Sequence, residues 1–133
     1  RANLADFWAG FVTESQDQAE IHHLNHAHHY TIDPHTAVAS AVAKQYQAAT
    51  RDQRPMVVVS TASPYKFPQA VLTAITGELS AVDGLAAVDQ LHELIQTPIP
   101  ATVTALRTAP VRHKRVADVD DMGTTIKTIL NLN

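Results

Sequence analysis

The run Met56-Val57-Val58-Val59, followed by the hydroxyl pair Ser60-Thr61 and the turn Ala62-Ser63-Pro64, constrains this chain more than any other stretch. Four apolar residues without a polar interruption predict a strand covered on both faces, as in the centre of a parallel sheet. The carboxyl end of such a strand is where open α/β sheets bind ligands, so Ser60 and Thr61 become candidate site residues. One strand cannot make a sheet, and the rest of the sequence offers almost no other. The expectation is therefore a piece of a larger α/β protein.

Composition agrees with a folded domain and narrows its partners. At 133 residues the chain has the size of one domain, and 45% hydrophobic against 17% charged residues is globular in character. A formal charge of −3 gives no general attraction to nucleic acid or to an anionic membrane. No apolar run approaches the roughly 18 residues of a membrane span. The absence of cysteine removes disulfides and thiolate metal sites, which fits a cytoplasmic setting. Four scattered glycines provide no phosphate-cradling loop. The chain opens at Arg1 without a methionine, which reads as a chain processed or cut from something longer.

Around the strand the sequence is helical. Leu4, Phe7, Trp8, Phe11 and Val12 have helical spacing and predict a short helix over Asn3 to Val12. Ser15 and Gln18 form a capping-box pattern ahead of a second helix, about Gln16 to His29. Asp33-Pro34 signals a cap with proline at the first helical position, and Val38, Ala39, Val42, Ala43 and Tyr46 predict a buried stripe ending near Ala49. Val71, Leu72, Ile75 and Leu79 continue as a helix, and Leu85, Val88, Leu91 and Ile95 as another. Thr97-Pro98-Ile99-Pro100 breaks that helix. A short helical segment is expected near Thr102 to Arg107, an edge strand over Val111 to Val116, and a last helix through Met122, Ile126, Ile129 and Leu130 capped by Asp118 or Asp120.

Two motifs stand in order: Tyr30-Thr31-Ile32-Asp33-Pro34-His35-Thr36-Ala37-Val38-Ala39, then Val59-Ser60-Thr61-Ala62-Ser63-Pro64-Tyr65-Lys66-Phe67. Together they resemble the C-terminal part of threonine synthase, a pyridoxal-phosphate enzyme of the tryptophan-synthase-β type (fold type II). The resemblance covers about residues 3 to 80, and the Leu106 to Leu130 tail loosely. It implies an α/β class: a helix-rich C-terminal fragment with one buried strand, about residues 56–61, flanked by helices. It divides the chain into residues 1–80, the end of the cofactor-binding large domain, and 81–133, a C-terminal helical extension.

The reaction so implied converts O-phosphohomoserine and water to threonine and phosphate. In that family the Schiff-base lysine and the glycine-rich loop for the cofactor phosphate lie far upstream of these motifs. Lys44, Lys66, Lys114 and Lys127 are the only lysines, and none has the family's serine-phenylalanine-lysine-aspartate setting. The fragment is therefore expected to be inactive alone. The residue matching Thr61 offers its hydroxyl to the pyridine nitrogen, and Ser60 is the second candidate. A hydroxyl can donate to a neutral nitrogen but cannot keep it protonated as a carboxylate would. The competing role for both hydroxyls is to cap the following helix. Two departures stand out. The family commonly carries histidine where Ser63 stands, and its segment at His22 to His29 is usually of mixed charge.

Other candidates carry bland alternatives. Lys66 is a candidate for a substrate phosphate or carboxylate, or a lysine bonding loop carbonyls. His35 is a candidate for the substrate phosphate or a neighbouring domain, or a buried, hydrogen-bonded histidine. His22, His26 and His29 recur at spacings that could face one way toward a metal, but no acidic residue lies between Ile21 and Ile32 to orient them, and a solvated helix face is the expectation. Arg112-His113-Lys114-Arg115 has no aromatic platform and reads as a solvated edge. The Phe7, Trp8 and Phe11 stripe reads as core or as contact with the rest of a larger enzyme. An independent helical interaction or histidine-rich metal-binding module is the alternative function, and a degenerate relative keeping only the turn is a third. A strand edge left unpaired at Met56 to Val59 would favour a homodimer of the fragment.

Overall fold

A computed structural model describes residues 6–132. Six α-helices follow one another: α1 Glu14–His28, α2 Pro34–Thr50, α3 Pro68–Thr76, α4 Gly84–Ile95, α5 Ala101–Ala105 and α6 Met122–Ile129. Short 3-10 turns occupy Pro64–Lys66 and Val119–Asp121. α1 packs on α2 and α3, and α3 packs in turn on α4.

Local chemistry explains the helix ends. Asp33 starts α2: its backbone is extended, and its carboxylate accepts from the N–H groups of His35, at 3.0 Å, and Thr36. α1 begins with a capping box, but on Thr13 and Gln16 and not on Ser15 and Gln18. Both pairs fit the pattern. Thr13 wins because its extended backbone lets the box close two residues earlier, with Thr13 N–H donating to Gln16 Oε1 at 2.8 Å. His29, Arg51 and Gln96 end their helices in the left-handed conformation without glycine, whereas Gly77 ends α3 at φ 76°.

The core gathers Ile21 of α1, Ala37 of α2, Val71, Leu72 and Ile75 of α3, and Ala87, Val88 and Leu91 of α4, with Ile32 and Tyr65 from the connections. It runs across residue 80 without a break. A buried glutamate is held at its margin. Burial alone would push the Glu20 carboxyl up, but Ser40, donating at 2.6 Å, and the Lys44 ammonium, at 2.7 Å, hold it below its usual range.

The buried strand over 56–61 is not formed. Among the described residues there is no strand, and no backbone–backbone hydrogen bond involves residues 56–61. Every residue of the segment is exposed. Met56 to Val59 line a groove of about 650 Å³ with Ala39, Val42, Ala43 and Tyr46 of α2, and Val58 (36%) is less exposed there than Val57 (89%) or Val59 (72%). A strand needs a neighbour to exchange hydrogen bonds, and the described residues offer no second extended segment beside it. The predicted α2 stripe is not buried either: Val38 and Ala39 are exposed, and Val42, Ala43 and Tyr46 are half-buried beside this open ribbon.

Other expectations also change. Of the N-terminal helix, Asn3 to Ala5 lie outside the described residues, and residues 7–13 are not helical. This segment instead drapes over α2, where Gln45 donates to the Phe11 carbonyl at 3.1 Å and the Trp8 ring meets Tyr46 edge-on. Phe7 and Phe11 are exposed, so they are not core. Residues 111–116 form no strand, Leu79 lies exposed beyond α3, and the apolar residues of α6 are exposed. Neither Asp118 nor Asp120 caps α6 through its side chain. Among the described residues, no helix is long and apolar enough to cross a membrane.

Candidate functional site

The start of α2 and the turn after Val59 meet through three side chains. Asp33, fully buried, takes the Thr36 hydroxyl proton on Oδ2, and Thr36 Oγ1 lies 3.0 Å from Ser60 Oγ. A hydroxyl has one proton to give. With that of Thr36 committed to the carboxylate, the stronger acceptor, Ser60 must supply the proton between the two hydroxyls. Its other acceptor is the Ala62 carbonyl at 3.4 Å. Either way the Ser60 proton is spent inside the turn. Thr61, exposed like Ser60, differs in that its hydroxyl has no hydrogen-bond partner among the described residues. Helix capping in this turn falls to Ser63, which accepts from the Tyr65 N–H at 3.3 Å.

His35 and Lys66 converge on one ring. The His35 imidazole lies 4.9 Å from Phe67, centroid to centroid, and the Lys66 ammonium lies 5.4 Å from the same centroid. His35 Nδ1 is 3.3 Å from Asp33 Oδ1, yet its side chain is 65% exposed, so it is not the buried histidine of the bland alternative. Lys66 forms no ion pair among the described residues. Ser60 thus joins the helix start through Thr36, and Lys66 joins it through Phe67 and His35. Behind this rim lies an apolar groove of about 800 Å³, walled by Lys66, Phe67, Leu85, Val88, Val103 and Leu106 among others.

The histidines of α1 do not assemble a metal centre. His22 and His26 stack with centroids 4.2 Å apart, whereas His29 is the left-handed cap of the helix. No group of three His, Cys, Asp or Glu placed to hold a metal occurs among the described residues.

A family model described as threonine synthase, C-terminal, matches residues 36–129. The chain belongs to this family. The matched span holds Thr36, Ser60, Thr61 and Lys66, and it extends through α6. Two curated relatives agree. The chain is 32% identical over 99 residues to threonine synthase-like 1 of Macaca fascicularis, and 31% identical over 99 residues to that of Homo sapiens. Each alignment takes in 68% of this chain and 13% of the relative, so the chain spans a small part of the proteins it matches.

Within this threonine synthase C-terminal chain, sequence reasoning missed three participants. Thr36 carries a signal, a hydroxyl three residues after a helix-capping aspartate, but its second partner comes from 24 residues onward. Tyr65 is buried and reaches the Thr97 carbonyl, a contact that no local pattern announces. Asp17, in the first turn of α1, has a buried Oδ1 without a partner among the described residues. Burial pushes its carboxyl up, against the opposing pull of His35.

Proposed function

We propose that this chain is the C-terminal portion of a threonine synthase, which converts O-phosphohomoserine and water to threonine and phosphate with pyridoxal phosphate as cofactor. The observation that carries the reading is the Thr61 hydroxyl. It is exposed and unpartnered among the described residues, at the end of an extended segment in a chain of this family, while the neighbouring Ser60 has its proton committed. The residues fit the cofactor on that ground, since a free O–H is what a neutral pyridine nitrogen accepts from. Bound pyridoxal phosphate supplies an electron sink for carbanions next to the amino group. Thr61 would hold the ring nitrogen, and Ser60, its proton already committed, would keep the turn tied to α2 through Thr36. The exposed cationic Lys66 and the His35 imidazole beside Phe67 are the candidates for the substrate phosphate.

None of the four lysines has the family's Schiff-base setting, so the fragment is inactive alone and depends on the rest of a complete enzyme. Residues 1–80 complete its cofactor domain, and 81–133 form the helical extension. The cysteine-free composition suits the cytoplasm. Separated from the enzyme, the fragment pairs with a second copy along the open Val57 and Val59 face; nucleic acid and membrane are not partners.

The test is Thr61→Val beside Thr61→Ser in the complete enzyme. Valine matches threonine in shape but cannot donate, so kcat should fall about tenfold, the upper value of one net hydrogen bond between neutral groups. Serine should restore most of it. Equal turnover in the valine variant and the parent would remove Thr61 from the cofactor.

A further inference from the structure

The segment carrying Thr61 has few means of fixing its own position. From Met56 to Thr61 it makes no backbone–backbone hydrogen bond, and the turn after it has only the single 3-10 loop in which Lys66 N–H reaches Ser63 O at 2.9 Å and Phe67 N–H reaches Pro64 O at 3.0 Å. One such loop does not define a place in space. Two side chains reach outward from this stretch: Ser60, to Thr36 of α2 at 3.0 Å, and Tyr65, in the middle of the turn and 3% exposed. The Tyr65 hydroxyl donates to the Thr97 carbonyl and lies 3.2 Å from His92 Nδ1. His92 Nδ1 in turn lies 2.9 Å from that same carbonyl.

Counting protons fixes the arrangement. A carbonyl oxygen only accepts, so for a hydrogen bond the imidazole nitrogen 2.9 Å from it must carry a hydrogen, and His92 donates through Nδ1. The carbonyl has two lone pairs and takes both donors. It stands just past α4, whose last residues are closed by Gln96 donating to the His92 carbonyl at 2.9 Å. The residue after it is Pro98, which has no N–H to compete. The carboxyl end of a helix carries partial negative charge, which favours donors there.

We infer that Tyr65, His92 and the Thr97 carbonyl form a positioning anchor that fixes the Ser60 to Phe67 turn to the end of α4, so that the C-terminal helices determine where the Thr61 hydroxyl stands. Tyr65 and His92 are positioning residues, since neither is placed at the reacting atoms. The catalytic consequence rests on the function proposed above; the anchor itself does not. This gives residues 81–133 a part in the site although none of them is a candidate to touch cofactor or substrate.

The experiment compares Tyr65→Phe, His92→Asn and His92→Gln in the full-length protein. Asparagine places its amide N–H where Nδ1 stood, whereas glutamine places it nearer Nε2. A role in packing alone would favour the larger glutamine. Amide hydrogen exchange at Lys66 and Phe67 should quicken about fivefold in Tyr65→Phe and His92→Gln, the loss of one net hydrogen bond, and stay near the parent in His92→Asn. Exchange in α3 should not change. Turnover should fall by a similar factor in the first two variants, with KM for O-phosphohomoserine held, since the donor and not the substrate contact is displaced. Unchanged exchange in Tyr65→Phe, or glutamine restoring better than asparagine, would overturn the anchor. Quickened exchange with unaltered kcat would overturn its control of Thr61. If the parent itself lacks the activity, the proposed function fails, and the exchange comparison still decides the anchor.

Discussion

The Asp33 to Thr36 helix start and the Met56 to Thr61 ribbon were the two most telling stretches of this sequence, and the fold treats them in opposite ways. The first is complete within the chain: Asp33 is fully buried, and its carboxylate is satisfied by two backbone N–H groups and a hydroxyl within three residues. The second opens with four apolar residues, yet its backbone is unpaired and all of its residues are exposed. A capped helix start draws its partners from the next turn of the same helix. A strand draws them from another segment, which must be present before the strand exists. An apolar run therefore carries no partner of its own, while a capping pattern contains both of its parts.

The largest effect that would break this contrast concerns the complete half of it. Asp33→Ala should lower stability by about 2 kcal/mol, the upper range for a helix cap, because Thr36 loses its acceptor as well. Asp33→Asn should recover most of that loss in a denaturant titration. A cost below about 0.5 kcal/mol in the alanine variant would mean that the helix start is held by packing and not by its cap.

The incomplete half makes the next prediction. Val57→Lys with Val59→Lys changes only outward residues, so thermal stability of the fragment should move little. Self-association measured by sedimentation should weaken at least about tenfold, because charge on an unpaired edge blocks strand addition. Val58→Lys should destabilise the chain more than either, since Val58 is the least exposed of the three valines. Equal dimerisation in the double lysine variant would move the contact to some other surface.

How much the sequence made legible follows the same division. The Asp33-Pro34 start, the α3 and α4 faces of Val71, Leu72, Ile75, Val88 and Leu91, and the family were readable because each rests on residues close together in the chain. The Val57 to Val59 ribbon was misjudged because apolar character alone does not supply the second segment that a strand pairs with, and none stands beside it among the described residues. At the site, His35, Ser60 and Lys66 could be named singly, but the Thr36 bridge and the shared Phe67 ring join positions about 24 to 32 residues apart and have no local signature. The Phe7 to Val12 pattern misled for another reason: helical spacing was present, but the segment lies over α2 and ties to it through Gln45.

Two carboxylates one turn apart in α1 sharpen the contrast between satisfied and unsatisfied groups, with opposite signs in pH. Glu20, held down by Ser40 and Lys44 against its burial, contributes stability above its ordinary value of 4.5 and loses it as pH falls through its lowered folded value. Lys44→Met should therefore destabilise the chain at neutral pH by about 1 kcal/mol, a modest figure because the ammonium is half-exposed, and the deficit should shrink in acid.

Asp17 runs the other way and gives the smallest effect. Burial raises its carboxyl above 3.8, and its buried Oδ1 has no partner among the described residues, so the folded state disfavours the ionised form. Stability from this group is present below the unfolded value and is lost as pH rises through the folded one. Asp17→Asn, neutral throughout, escapes that loss. Relative to the parent, the asparagine variant should gain by no more than about 0.5 kcal/mol between about pH 3 and about pH 7. The slope is the test, since favourable charge at the start of α1 shifts the absolute difference but is itself present only when Asp17 is ionised. A difference that moves against the variant as pH rises would show that the helix N-terminus and His35 together outweigh burial, and would place Asp17 with Asp33 among the satisfied groups.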